Sequence, residues 1–174
     1  MLVRRRHDET MNRIKRILCI AAVSGTIMLG VAAQATEKGR HMQAKGTFEV
    51  KVTPAEVSPV GKDAGLSCYS LEKTFHGDME GTAKGEMLAS MTEGTGAMAY
   101  VALDHVTGTL DGHSGSFYLA HTATMKKGDA ASGVMKIVVV KDSGTGELAG
   151  LSGELTIIID AKGGHSYLFD YELQ

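Results

Sequence analysis

Asp111-Gly112 separates two long runs, 96–110 and 113–125, whose apolar residues recur at alternate positions. A two-residue type I′ turn needs positive φ at both central residues, and Asp-Gly is among the dipeptides that accept it. With the turn centred there, Leu110 pairs with His113, Val106 with Phe117, Asp104 with Leu119 and Ala102 with His121. One face of the hairpin then carries Tyr100, Ala102, Asp104, Val106, Phe117, Leu119, His121 and Ala123. A long hairpin of this kind commits the chain to antiparallel sheet, and the rest of the sequence follows suit. Phe48, Val50 and Val52 alternate with polar residues as a half-buried strand does. Segments 67–76 and 79–88 read as two strands about Gly77, and 133–141, rich in β-branched residues, reads as a more deeply buried one. Segments 153–160 and 165–173 form a second hairpin across Ala161-Lys162-Gly163-Gly164. The count is eight strands with short connections and no convincing helix after Ala35. Even spacing of that kind predicts a closed antiparallel barrel or a sandwich. The 22 Gly against two Pro agree with so many turns.

The first 35 residues differ in kind. Arg4, Arg5, Arg6, Arg13, Lys15 and Arg16 precede an uncharged run from Ile17 to Ala33, and Ala33-Gln34-Ala35 closes it. A basic segment, an apolar segment and an A-x-A end describe a signal peptide, so residues 1–35 are expected to be a helical leader cleaved after Ala35. The alternative is an uncleaved membrane anchor, for which 17 residues interrupted by Gly25 and Gly30 are short. Met11 would open a tidier leader than Met1. Polar residues 36–44 read as a flexible linker, and residues 45–174 as a single barrel domain.

Without the leader, 12 Lys and Arg face 18 Asp and Glu, a net charge of −6, and Arg40 is the only arginine. Such a surface lacks the basic footprint of a nucleic-acid binder and repels anionic lipid. The expected location is the periplasm or outside, with no membrane contact once the leader is gone. Cys19 leaves with the leader, so Cys68 has no intramolecular partner and the fold must rest on its core.

Four motifs make the chain recognisable. Ala44-Lys-Gly-Thr-Phe-Glu-Val-Lys-Val-Thr-Pro54, Phe75-His-Gly-Asp-Met-Glu-Gly-Thr82, Val106-Thr-Gly-Thr-Leu-Asp-Gly-His-Ser-Gly-Ser-Phe117 and Asp142-Ser-Gly-Thr-Gly-Glu-Leu-Ala-Gly-Leu-Ser-Gly153 resemble the bacterial domain-of-unknown-function family 3224. His165-Ser-Tyr continues the match, which spans nearly all of 44–173. That family is similar to the eight-stranded allene oxide cyclase barrel, shared with plant dirigent proteins. The resemblance implies a barrel and supplies no activity. Such a barrel admits a small apolar ligand in its lumen and a homo-oligomer as partners, and no cofactor is expected. Two functions follow: a binding or scaffold module, or an isomerase- or cyclase-like enzyme that holds a small hydrophobic substrate in one conformation.

Asp104 and His121 are diagonal neighbours on a mostly apolar face. An ionised Asp inside a barrel needs a partner, and a paired Asp–His can orient a ligand or move a proton. They are the candidate catalytic residues, and Tyr100, Asp104, Phe117 and His121 the candidate ligand-binding residues; the plainer reading is a structural polar contact between Asp104 and His121, or a face that points outward. His76, Asp78 and Glu80 alternate, and on a regular strand they would share a face fit for a divalent metal. A solvated strand face beside a turn is the plainer reading, so no metal is expected. Gly144-Thr-Gly146-Glu-Leu-Ala149 fits a dinucleotide fingerprint in letters, but Gly150 and Gly153 interrupt any helix after it. Neither Ser114 nor Ser152 has nucleophile-elbow spacing. Met79, Met87, Met91, Met98, Met125 and Met135 are scattered, which suits core filling better than a copper site.

Overall fold

A computed structural model describes residues 40–174, the side chains of 130 and 131 excepted. The leader, with Ala33 and Ala35 at its cleavage site, lies outside the described residues. Eight strands close in chain order into an antiparallel barrel. They are β1 (Arg40–Ala55), β2 (Leu66–Gly77), β3 (Met79–Met91), β4 (Ala97–Leu110), β5 (His113–Lys126), β6 (Asp129–Val139), β7 (Ser152–Ile159) and β8 (His165–Leu173). A single turn of helix, α1 (Pro59–Asp63), sits between β1 and β2, and Ser58 Oγ accepts a hydrogen bond from Gly61 N at 3.2 Å at its start. Among the described residues no helix is long and apolar enough to cross a membrane.

The β4–β5 register is the one the Asp-Gly turn requires, with Asp104 opposite Leu119 and Ala102 opposite His121. Asp111 and Gly112 have φ of 48° and 84°, so both occupy the left-handed region. Two expectations are corrected. Residues 40–44 are strand, not linker: Arg40–Ala44 pairs with Leu173–Phe169 of β8, and Ala44 is buried. Their polar composition reflects outward positions, while Met42 and Ala44 point to the core. The 133–141 segment is not the most buried strand. Ile137 and Val139 are buried, but Val134 is 67% exposed, because β6 keeps a solvent-facing outer side and shares only the pair Val138–Glu154 with β7.

The end of the barrel bearing the β2–β3 and β4–β5 turns is filled. Phe117 stacks on Phe169 with ring centroids 6.0 Å apart, and Phe75 meets Tyr167 edge-on at 5.8 Å. The Tyr167 hydroxyl accepts from Met79 N at 2.9 Å, and the Tyr171 hydroxyl donates to Asp111. Each large apolar side chain so buried contributes about 1.5–3 kcal/mol relative to exposure. The connection from β6 to β7 caps this end. Beyond the last β6 residue, β5 pairs with the connection instead: Thr145 N donates to Ser116 O at 2.8 Å, Tyr118 N to Ser143 Oγ at 3.1 Å and Ser114 N to Glu147 Oε2 at 2.8 Å. A short 3₁₀ turn, Gly146–Leu148, then inserts Leu148 and Leu151 into the core. A Cβ on Gly144 would lie 1.9 Å from Leu148 O, so the strap can close this tightly only around glycine. The Gly144-Thr-Gly146 motif therefore builds a plug, and no βαβ unit surrounds it.

Candidate functional site

Across four strands one level of the lumen runs Leu71, Gly85, Asp104, Leu119. All four project inward, since Leu71, Asp104 and Leu119 are buried and strand alternation carries Gly85 with them. Asp104 is therefore a carboxylate in the middle of a closed barrel, fully shielded from solvent. His121 lies two ladder pairs away, toward the α1 end, and its Nε2 is 2.9 Å from Asp104 Oδ2. That separation is within ion-pair range, although the approach lacks hydrogen-bond alignment. A third residue completes the cluster. Lys73, on β2 opposite Ala83, extends across β3 and donates from Nζ to the same Oδ2. Lys73 is 8% and His121 4% exposed.

Burial by itself would raise the Asp104 pKa. The contacts with His121 and Lys73 outweigh it and hold the carboxyl below the usual carboxylate range. The second oxygen, Oδ1, finds no partner among the described residues and lies against Gly85, where a Cβ would sit 2.3 Å away. Gly85 is thus the space into which the carboxylate fits. Four residues along β4 from Asp104, on the same face, the Tyr100 phenol is pushed upward by burial and then by the Asp104 charge.

The two halves of the lumen differ in side-chain size. Around and beyond the charged trio, toward the α1 end, the inward positions include Gly85, Ala89, Ala102 and Ala123. Tyr69, Met87, Tyr100 and Ile157 there are only half-buried, whereas aromatic rings fill the other half completely. The trio therefore lies where the aromatic-filled half meets a half whose inward side chains are smaller and only partly buried.

Sequence reasoning brought Tyr100, Asp104 and His121 together, as the structure does. Phe117 belongs to the filled half, stacked on Phe169. Lys73 was missed, although its alternation with Leu71 and Phe75 marked it as a charge on an apolar face. His76, Asp78 and Glu80 do not share a regular strand, because the β2–β3 turn falls between them. His76 Nε2 instead meets Glu49 Oε2 at 3.2 Å, and Asp78 Oδ2 accepts from Lys45 N at 2.9 Å. Among the described residues no three His, Cys, Asp or Glu side chains converge on a metal position.

A family model described as "Protein of unknown function (DUF3224)" matches residues 44–171. A solved structure, described as the crystal structure of a protein with unknown function from the DUF3224 family from Shewanella oneidensis MR-1 at 1.84 Å resolution, is similar with a TM-score of 0.69. The two sequences are 37% identical, over 78% of this chain and 99% of the other. Among curated proteins there is no match.

Proposed function

Since the chain belongs to the DUF3224 family, whose description carries no activity, its own lumen must supply the functional reading, and we propose a binding barrel. The ligand class is a small, mainly apolar molecule with one polar group, seated in the α1 half with that group toward Lys73, Asp104 and His121. The observation that carries this reading is a trio of buried charged or titratable groups beneath half-buried, mostly apolar walls. Buried charge is costly, and replacing such groups by well-packed apolar residues is often neutral or stabilising, so stability gives little reason to keep them. Apolar pockets with a few convergent polar groups are the usual form of a ligand site. We also propose that the protein acts in the periplasm or outside the cell, on the basic, apolar and A-x-A pattern of residues 1–35.

The test is binding of a neutral naphthylamine dye that fluoresces in apolar surroundings. The full chain should bind it, Ala102→Phe should abolish binding by filling the lumen, and Glu86→Ala on the outer face should leave it unchanged. Equal binding by the Ala102→Phe protein, still folded by circular dichroism, would overturn the proposal.

A second reading, an isomerase- or cyclase-like enzyme, draws on the same trio. An ionised Asp104 with His121 Nε2 2.9 Å from its Oδ2 holds the imidazole in place, and that imidazole is the group that would exchange a proton with a bound molecule. It differs from simple binding in one outcome: a bound molecule would be recovered chemically changed.

A further inference from the structure

Spacing scatters the methionines along the chain, but the sheet register gathers them. Met91 of β3 lies directly opposite Met98 of β4, and Met98 directly opposite Met125 of β5. The three form one row across adjacent strands at the α1 end. Each is in step with inward residues of its strand: Met91 with Ala83, Met98 with Asp104, Met125 with Leu119. Directly opposed residues have Cβ atoms ~4.5–5.5 Å apart, so three flexible thioethers can reach a common point. Met135 of β6 is beside them, paired with Ala123, and shares with Met125 the lining of a concavity of about 560 Å³ at the β5–β6 turn.

Met91 and Met135 are not packed as core filler, and Met98 and Met125 are only half-buried. Met79, which does fill the core, is 1% exposed, whereas Met91 is 51% and Met135 39% exposed. Large apolar side chains kept partly in water at one rim lack a packing explanation. Thioether sulfur is a soft donor that selects Cu(I)-like ions, while hard divalent ions prefer carboxylate and carbonyl oxygen. The inward neighbours along the three strands, Ala89, Tyr100 and Ala123, offer no carboxylate, and the one carboxylate lining the concavity, Asp129, is accompanied there by Lys126 and Lys127. We propose that Met91, Met98 and Met125, with Met135 alongside, form a rim site for a soft monovalent cation of the Cu(I) class, held by neutral thioethers without change of oxidation state.

The test uses the full chain with Cys19→Ser and Cys68→Ser, so that no thiol competes. Ag(I), and Cu(I) under anaerobic reducing conditions, are titrated against a chromophoric Cu(I) chelator, and methionine methyl resonances are followed. One equivalent should bind, shifting the methyl signals of Met91, Met98 and Met125 and leaving Met79 in place. Leucine at any one of the three should weaken binding by at least the ~10–100-fold that even outer-shell changes cost a metal site. The Met91→Leu/Met98→Leu/Met125→Leu protein retains every other methionine; undiminished Ag(I) binding by it would overturn the proposal, as would equal binding of Zn(II). If the naphthylamine dye shifts these methyls and Ag(I) does not, the row is an apolar rim of the lumen and the metal assignment fails.

Discussion

At the scale of single residues, one carboxylate oxygen holds the buried charge together. Asp104 Oδ2 receives both Lys73 and His121, so removing the carboxylate leaves an ammonium without its acceptor inside the barrel. Breaking a buried pair from one side typically costs ~3–5 kcal/mol. Asp104→Asn should therefore destabilise the protein by that order at neutral pH. The loss is pH-dependent, and its sign follows from linkage. The folded pKa lies below the ordinary 3.8, so the stabilisation is fully present above that value and disappears as pH falls through the folded one. Urea unfolding at a series of pH values should show the wild-type and Asp104→Asn curves converging as the solution is acidified. A gap that persists unchanged to pH 2 would assign the effect to packing. The Asp–His half of this cluster was legible because the Asp111-Gly112 turn fixes the β4–β5 register residue by residue. Lys73 was not, because its partner lies two strands away and the contact depends on a long side chain crossing Gly85.

At the scale of elements, the barrel is unevenly closed. β4 pairs along its full length with β5 and from Met98 to Leu110 with β3, while β6 and β7 share one bridging pair. The strap from Val140 to Leu151 compensates at one end by satisfying β5 and inserting two leucines. Little holds the rest of that seam, and local opening begins where hydrogen bonding and burial are sparse. Native-state amide exchange should release the amides of β6 near Val134 before those of β4, by orders of magnitude in rate. Uniform protection around the barrel would contradict an open seam. The sequence could not reveal this weakness. Val-Met-Lys-Ile-Val-Val-Val reports preference for a pleated strand, and that preference does not say whether a neighbour covers the strand. For β1 the error ran the other way, since Met42 and Ala44 alternate inward beneath a polar composition that suggests a linker.

For the whole molecule, the decisive element is the first half of β1. Arg40–Ala44 pairs with the last strand and closes the ring, so a cut within it would expose the β8 edge and the buried Phe169. Cleavage after Ala35 stops short of that. It leaves residues 36–39 ahead of β1 and removes no strand from the barrel. Cleavage and folding are therefore compatible in either order, and the mature chain keeps every ladder pair described above. Intact-mass analysis of the protein recovered from the cell envelope should give a chain beginning at Thr36. Its thermal unfolding should match that of the full chain, because the barrel closes through ladder pairs that all lie within residues 40–174. A protein recovered only from membranes with residues 1–35 attached would make the leader an anchor. A mature start within 41–45, with unfolding unchanged, would mean that the β1–β8 ladder is dispensable, against the burial of Ala44 and Phe169 at its centre.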